Sequence, residues 1–136
     1  MKKAFALAAL LVTFAGSAFA ADTKNETTLK YEGQSAKAGT KTVATIIVEP
    51  TSGRKLNMDY PTKVKLTAPD GVKIEKASLA KADAKKFEEK GAKFEFEYTV
   101  AAAGKKTITG ELKIATCTAD DCVPEVAAIK IEVEAK

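Results

Sequence analysis

Histidine and tryptophan are both absent from this chain of 136 residues. Without histidine, neither a Ser-His-Asp nor a Cys-His nucleophile system can be assembled, and no metal site can draw on an imidazole. Cysteine is limited to Cys117 and Cys122, so one disulfide is the most the chain can close. There is no glycine-rich phosphate loop, no internal repeat, and no pair of carboxylates at catalytic spacing. Beyond the first twenty residues no long apolar run occurs. Charge of one sign is also scarce, since 22 basic against 18 acidic residues leave only +4. The two signs alternate, as in "KIEKASLAKADAKKFEEKGAKFEFE", whereas a nucleic-acid surface clusters its cations among aromatics. These charges read as a solvated surface with no nucleic-acid partner.

The N-terminus has the form of an export signal. Lys2 and Lys3 precede the apolar stretch "AFALAALLVTFAG", which is too short to span a bilayer, and "SAFA" follows with Ala18 and Ala20 in an A-x-A pattern. Cleavage after Ala20 is expected, leaving one domain over residues 21–136 with no membrane insertion. Loss of Lys2 and Lys3 lowers the net charge from +4 to +2. No cysteine stands at the cleavage site, so a lipid anchor is not expected, and "NET" at Asn25 reads as part of a polar tail. The short dilysine region has bacterial character, which places the protein in the periplasm or outside the cell. Both locations permit a disulfide.

The rest reads as strands with turn punctuation. "TTLKYEG" puts Leu29 and Tyr31 on one face. "KTVATIIVEP" is apolar on both parities, as for a strand buried on both faces. "TKVKLTAP" alternates, "PDG" is a turn, and "GVKIEKA" continues the alternation through Val72 and Ile74. "LAKADAKKFEEKG" is the only helix-friendly stretch, expected as one or two turns or a charged loop. "AKFEFEYTV", "TITGELKIATC" and "VAAIKIEVEA" alternate to the end of the chain. About seven strands with turn signals every 8–12 residues predict an all-β fold, an immunoglobulin-like antiparallel β-sandwich.

The parity of "TITGELKIATC" bears on the cysteines. If Ile108, Leu112 and Ile114 face the core, odd-numbered Cys117 faces out with Glu111 and Lys113, unless a bulge intervenes. The last strand returns antiparallel, so Cys122 can stand opposite Cys117, about 4.5–5.5 Å away at Cα, within reach of a disulfide. A loop this short contributes only roughly 2 kcal/mol through chain entropy. Asp120 and Asp121 disfavour a thiolate, and no histidine or arginine is near in sequence. Such a pair suits attack by a partner's activated thiolate better than autonomous catalysis. A zinc site on Cys117, Asp120, Asp121 and Cys122 is not expected, because structural zinc takes four Cys or His ligands and the spacing is not C-x2-C. No cofactor is implied.

"GELKIATCTADDCVPEVAAIKIEV" resembles the end of the N-terminal periplasmic domain of the thiol:disulfide interchange protein DsbD and its stand-alone secreted relatives, the disulfide bond corrector-like proteins. The shared pattern is C-x(4–5)-C, an aromatic or aliphatic residue, then proline, matched by Cys117, Cys122, Val123 and Pro124. Upstream, "KLNMDYPTKVKLTAPDGVKIEKA" is similar to a stretch of the stand-alone relatives. The resemblance implies an immunoglobulin-like fold and electron transfer with thioredoxin-like periplasmic partners. It implies that Cys122 forms the mixed disulfide and Cys117 resolves it, with Tyr60 supplying an aromatic neighbour. Two departures stand out: Glu125 replaces a frequent second proline, and Val123 replaces a bulky aromatic. The membrane and thioredoxin-like parts of the full transporter are missing, so reducing power must come from another protein.

Two readings follow. In one, Cys117 and Cys122 form an exchangeable disulfide, and Pro124 keeps the following segment from pairing across, leaving the sulfur reachable. In the other, a secreted β-sandwich carries an inert hairpin disulfide and serves a binding or structural role. The oligomeric state is open, with a monomer expected.

Overall fold

A computed structural model describes residues 26–136. The export-signal reading of residues 1–20, the start at residue 21 and Asn25 lie outside the described residues. Among the described residues, eleven strands make two sheets, with one 3-10 turn at Lys81–Asp83. The first holds β1 (Thr27–Glu32), β3 (Thr42–Pro50), β9 (Gly91–Val100) and β6 (Val72–Ile74) in that order, with β8 (Lys86–Glu88) also pairing with β9. The second holds β2 (Ser35–Ala36), β11 (Cys122–Ala135), β10 (Gly104–Cys117), β5 (Lys63–Thr67) and β7 (Ser78–Ala80), with β4 (Lys55–Leu56) against the end of β10.

This is an immunoglobulin-like β-sandwich. The order β1-β3-β9-β6 matches the A-B-E-D sheet of immunoglobulin domains, and β11-β10-β5 matches the G-F-C sheet. The fourth position of the first sheet is divided. β8 lies along Gly91–Lys93 and β6 along Tyr98–Val100, both on the edge of β9 away from β3. The expected strands are present, joined by short ones of two or three residues that lie below the reach of periodicity. "GVKIEKA" does not continue beside its predecessor. After Pro69-Asp70-Gly71 the chain crosses to the other sheet, where Val72 and Ile74 are only half-buried.

One core fills the space between the sheets. β3 contributes Ala44, Ile46 and Val48; β9 contributes Phe94, Phe96, Tyr98 and Val100. From the other sheet come Val64, Leu66, Ile108, Leu112, Ile114 and the odd-numbered residues Ala127–Ala135 of β11. The double-sided apolarity of β3 is not matched by double-sided burial. Its second face is partly open and Val43 is 48% exposed, because among the described residues no further layer covers that sheet. The helix-friendly stretch is also resolved differently. Leu79 is drawn into the core on β7, Lys81–Asp83 form a 3-10 turn, and Lys86–Glu88 pair with β9. Ladder pairing and burial of one leucine outweigh a helix too short to nucleate alone.

Two close approaches hold the layers in place. Gly110 on β10 lies so near β5 that a Cβ there would sit 2.2 Å from the Lys65 carbonyl oxygen and 3.2 Å from Leu66 Cα. Tyr98 is buried, and its hydroxyl donates to the Gly33 carbonyl at 2.7 Å, tying the core of one sheet to the turn after β1.

Gly110→Ala must push β10 from β5 and is expected to cost roughly 3 kcal/mol, measurable by urea unfolding. Burial pushes the Tyr98 phenol above its ordinary value of 10.0. The folded form holds the proton more tightly, so this contribution is complete below about pH 10 and disappears as pH rises through the higher folded value. Tyr98→Phe should lose about 1–2 kcal/mol at neutral pH. Its urea midpoint should also fall less than that of the parent between about pH 9 and pH 11.

Candidate functional site

The site is built by one hairpin. β10 and β11 pair without interruption from Gly104↔Ala135 to Cys117↔Cys122, with no bulge. Parity is therefore preserved along all of β10. Ile108, Leu112 and Ile114 face inward, Glu111 and Lys113 face solvent, and Cys117 lies on their side. On β11 the odd residues face inward, which turns Cys122 outward as well. The cysteines are directly opposed and joined, with Cα atoms 4.0 Å apart. Cys117 is half-buried and Cys122 is exposed.

The tip beyond the disulfide is closed by its own polar groups. Thr118 N–H donates to the Asp121 carbonyl at 2.7 Å. The Thr118 hydroxyl donates to Asp121 Oδ1 at 2.7 Å and accepts from the backbone N–H groups of Asp120 and Asp121. This is the local side-chain-to-backbone bonding that Thr and Asp favour in turns. Because Thr118 and Asp121 form a hydrogen-bonded pair, alternation makes Cys117↔Cys122 a narrow, non-hydrogen-bonded pair, and Ala115↔Pro124 another.

That alternation corrects the expected role of Pro124. Pairing is not interrupted; the ladder runs straight through Pro124 to the cysteines. At a non-hydrogen-bonded position the proline nitrogen points away from β10, toward an edge where, among the described residues, β2 pairs only with Glu134 and Ala135. The absent N–H therefore costs the ladder nothing, and the ring guards an open edge. Glu125, where the resembled family often has a second proline, occupies a hydrogen-bonded position, and proline there would remove a ladder bond. Its carboxylate instead joins the hairpin to the start of β1. Oε2 accepts the Glu26 N–H at 2.7 Å, and Oε1 accepts the Thr27 hydroxyl. Val123 is 37% exposed beside Cys122.

Tyr60 is half-buried in the loop between β4 and β5, and its carbonyl accepts the Thr62 N–H at 2.8 Å. It does not line the hollow next to the disulfide. That open hollow, about 420 Å³, has Cys117 on one wall and Leu56, Asn57, Met58 and Asp59 on another. Met58 lines this hollow and Tyr60 does not. The segment runs alongside β10 because Lys55 and Leu56 pair with Cys117 and Thr116, and Asn57 N–H donates to the Ala115 carbonyl at 2.9 Å.

Arg54 was missed. Sequence distance left the cysteines without a cation, yet the turn before β4 delivers this arginine, the only one in the chain, to the hairpin. Its Nε donates to Thr116 Oγ1 at 2.8 Å and one terminal nitrogen donates to the Thr116 carbonyl at 3.1 Å. The same nitrogen lies 3.4 Å from Asp121 Oδ1, and Nε lies 3.6 Å from Glu26 Oε2. The Arg54 side chain is 12% exposed and Thr116 is fully buried. Its singularity among 22 basic residues was the available signal, since arginine favours buried multidentate contacts where lysine does not.

No family model matches the chain, and no curated protein matches it. Solved structures with a similar outline include the bacterial hydrophobin BslA, at 14% identity and TM-score 0.38 over 82% of this chain and 96% of that one. AggA, the major subunit of aggregative adherence fimbriae type I from Escherichia coli, is similar at 8% identity and TM-score 0.39, over 82% and 97%. The ASH/PapD-like domain of human CEP192 is similar at 9% and 0.36, over 98% and 96%. Likenesses this distant assign neither family nor activity. The class stands on strand order and site: an immunoglobulin-like sandwich whose last hairpin carries a surface disulfide.

The bridge closes a loop already held by fourteen-residue strands on either side. Reduction, or Cys117→Ser with Cys122→Ser, is expected to lower stability by about 2 kcal/mol. The far-UV circular dichroism should stay unchanged, with the loss read from urea midpoints with and without reductant.

Proposed function

We propose that this protein is an exported thiol–disulfide exchange domain that passes electrons between the Cys117–Cys122 pair and thioredoxin-like partners. The observation that carries the reading is the placement of the disulfide. It lies on the outer face of the sheet at the turn end of a hairpin, with Cys122 exposed and Cys117 half-buried. A bridge meant only for stability gains most by joining distant parts of a chain, and this one joins residues that the ladder already opposes. A formed disulfide also fits an oxidising compartment, in keeping with a periplasmic or secreted protein.

In the proposed exchange a partner thiolate attacks Cys122 Sγ in line with the S–S bond. The Cys122–partner bond forms, the Cys122–Cys117 bond breaks, and Cys117 leaves with the electron pair as a thiolate. Attack by the partner's second thiol on its own sulfur releases Cys122 and completes transfer of two electrons to this chain. Return attack by Cys117 on Cys122 expels the partner and reverses the first step. No cofactor takes part.

The experiment is trapping in the oxidising compartment. Cys117→Ala leaves Cys122 without its resolving partner and should accumulate mixed disulfides with thioredoxin-like proteins, whereas Cys122→Ala should accumulate few. An inert bridge would give none with either variant, and its reduction potential would lie below about −300 mV.

A further inference from the structure

The residue before each cysteine is held by the same side chain. Arg54 binds the hydroxyl and carbonyl of Thr116, next to Cys117, and reaches the carboxylate of Asp121, next to Cys122. While the disulfide is closed, this contact duplicates a covalent link. Once the bond is open, the tip retains one backbone bond, from Thr118 N–H to the Asp121 carbonyl, and the turn's own side chains. Strand ends of this kind fray. Arg54 enters from outside the hairpin, on the turn between β3 and β4, with its side chain mostly buried and Glu26 within 3.6 Å. It therefore stays in place when the sulfurs part.

We propose that Arg54 is a positioning residue for the redox pair: its guanidinium ties Thr116 to Asp121 and keeps the two thiols opposed when the disulfide is open. The inference rests on the exchange reading above and identifies what keeps that site ready. The clamp and the disulfide each bring the same two arms together, so each makes the other easier to form, by the reciprocity of linked equilibria. A guanidinium can bridge acceptors on both arms through its planar fork, which an ammonium does not reproduce. The alternative role of a cation near sulfur is to stabilise a thiolate, and that would favour the open form. The two roles predict shifts of opposite sign.

The test is equilibration of the protein and its variants in glutathione buffers. Glutathione disulfide takes two electrons and two protons from the dithiol and leaves as two glutathione thiols while the Cys117–Cys122 bond forms. Arg54→Ala is expected to lower the equilibrium constant for oxidation about tenfold, a rise of roughly 30 mV in reduction potential. Arg54→Lys should fall close to Arg54→Ala, and Asp121→Ala should shift the same way by a smaller factor, about threefold. An unchanged constant in folded Arg54→Ala, a shift toward oxidation, or a wild-type constant in Arg54→Lys would each overturn the clamp. If Arg54→Ala does not fold, Arg54→Lys decides alone, since it keeps the stem and the cation and removes only the planar fork. The ratio between variants tests the clamp, whereas the wild-type potential and partner trapping test exchange, so either can fail without the other.

Discussion

The continuous ladder between β10 and β11 is the constraint on which the site depends. Fourteen residues on each side keep one register from Gly104↔Ala135 to Cys117↔Cys122. A slip of one position would send Ile108, Leu112 and Ile114 to solvent and turn the sulfurs inward. The core forbids that slip, because these side chains and Ala127, Ile129, Ile131 and Val133 of β11 are fully or almost fully buried. Orientation of the disulfide is thus set by apolar packing that extends far from it. The same alternation puts the proline of the motif where a missing N–H does no harm.

Around that ladder the polar groups are arranged by origin. Thr118, Asp120 and Asp121 close the tip with bonds local in sequence. Glu125 fastens the hairpin to the start of β1, and Arg54 fastens it to the turn before β4. The hairpin is thereby held from both neighbouring segments while its outer face, with Cys122, is left open. The proposed exchange would use this arrangement, with support on one side of the sulfurs and access on the other.

Legibility differed with the range of the interaction. Alternation in "TITGELKIATC" and "AKFEFEYTV" was sufficient to assign strands, faces and most of the core, because period-two patterning reports directly which side is buried. The short strands β2, β4, β7 and β8 left no such mark; "LAKADAKKFEEKG" keeps one short turn, Lys81–Asp83, while its ends are taken by pairing with β5 and β9. β3 looked buried on both faces, since composition records how apolar a face is and not whether a layer covers it. The crossing of β6 to the other sheet follows from packing after a turn that by itself allows either path.

The opposition of Cys117 and Cys122 and their outward parity were written in local order, because five positions of separation leave a hairpin little freedom. The Arg54 contacts, the Glu125 tether and the placement of Met58 in the hollow beside Cys117 required the assembled fold. Each joins segments tens of residues apart in the chain, and contacts over that range come from how two sheets meet, which no window of neighbouring residues records.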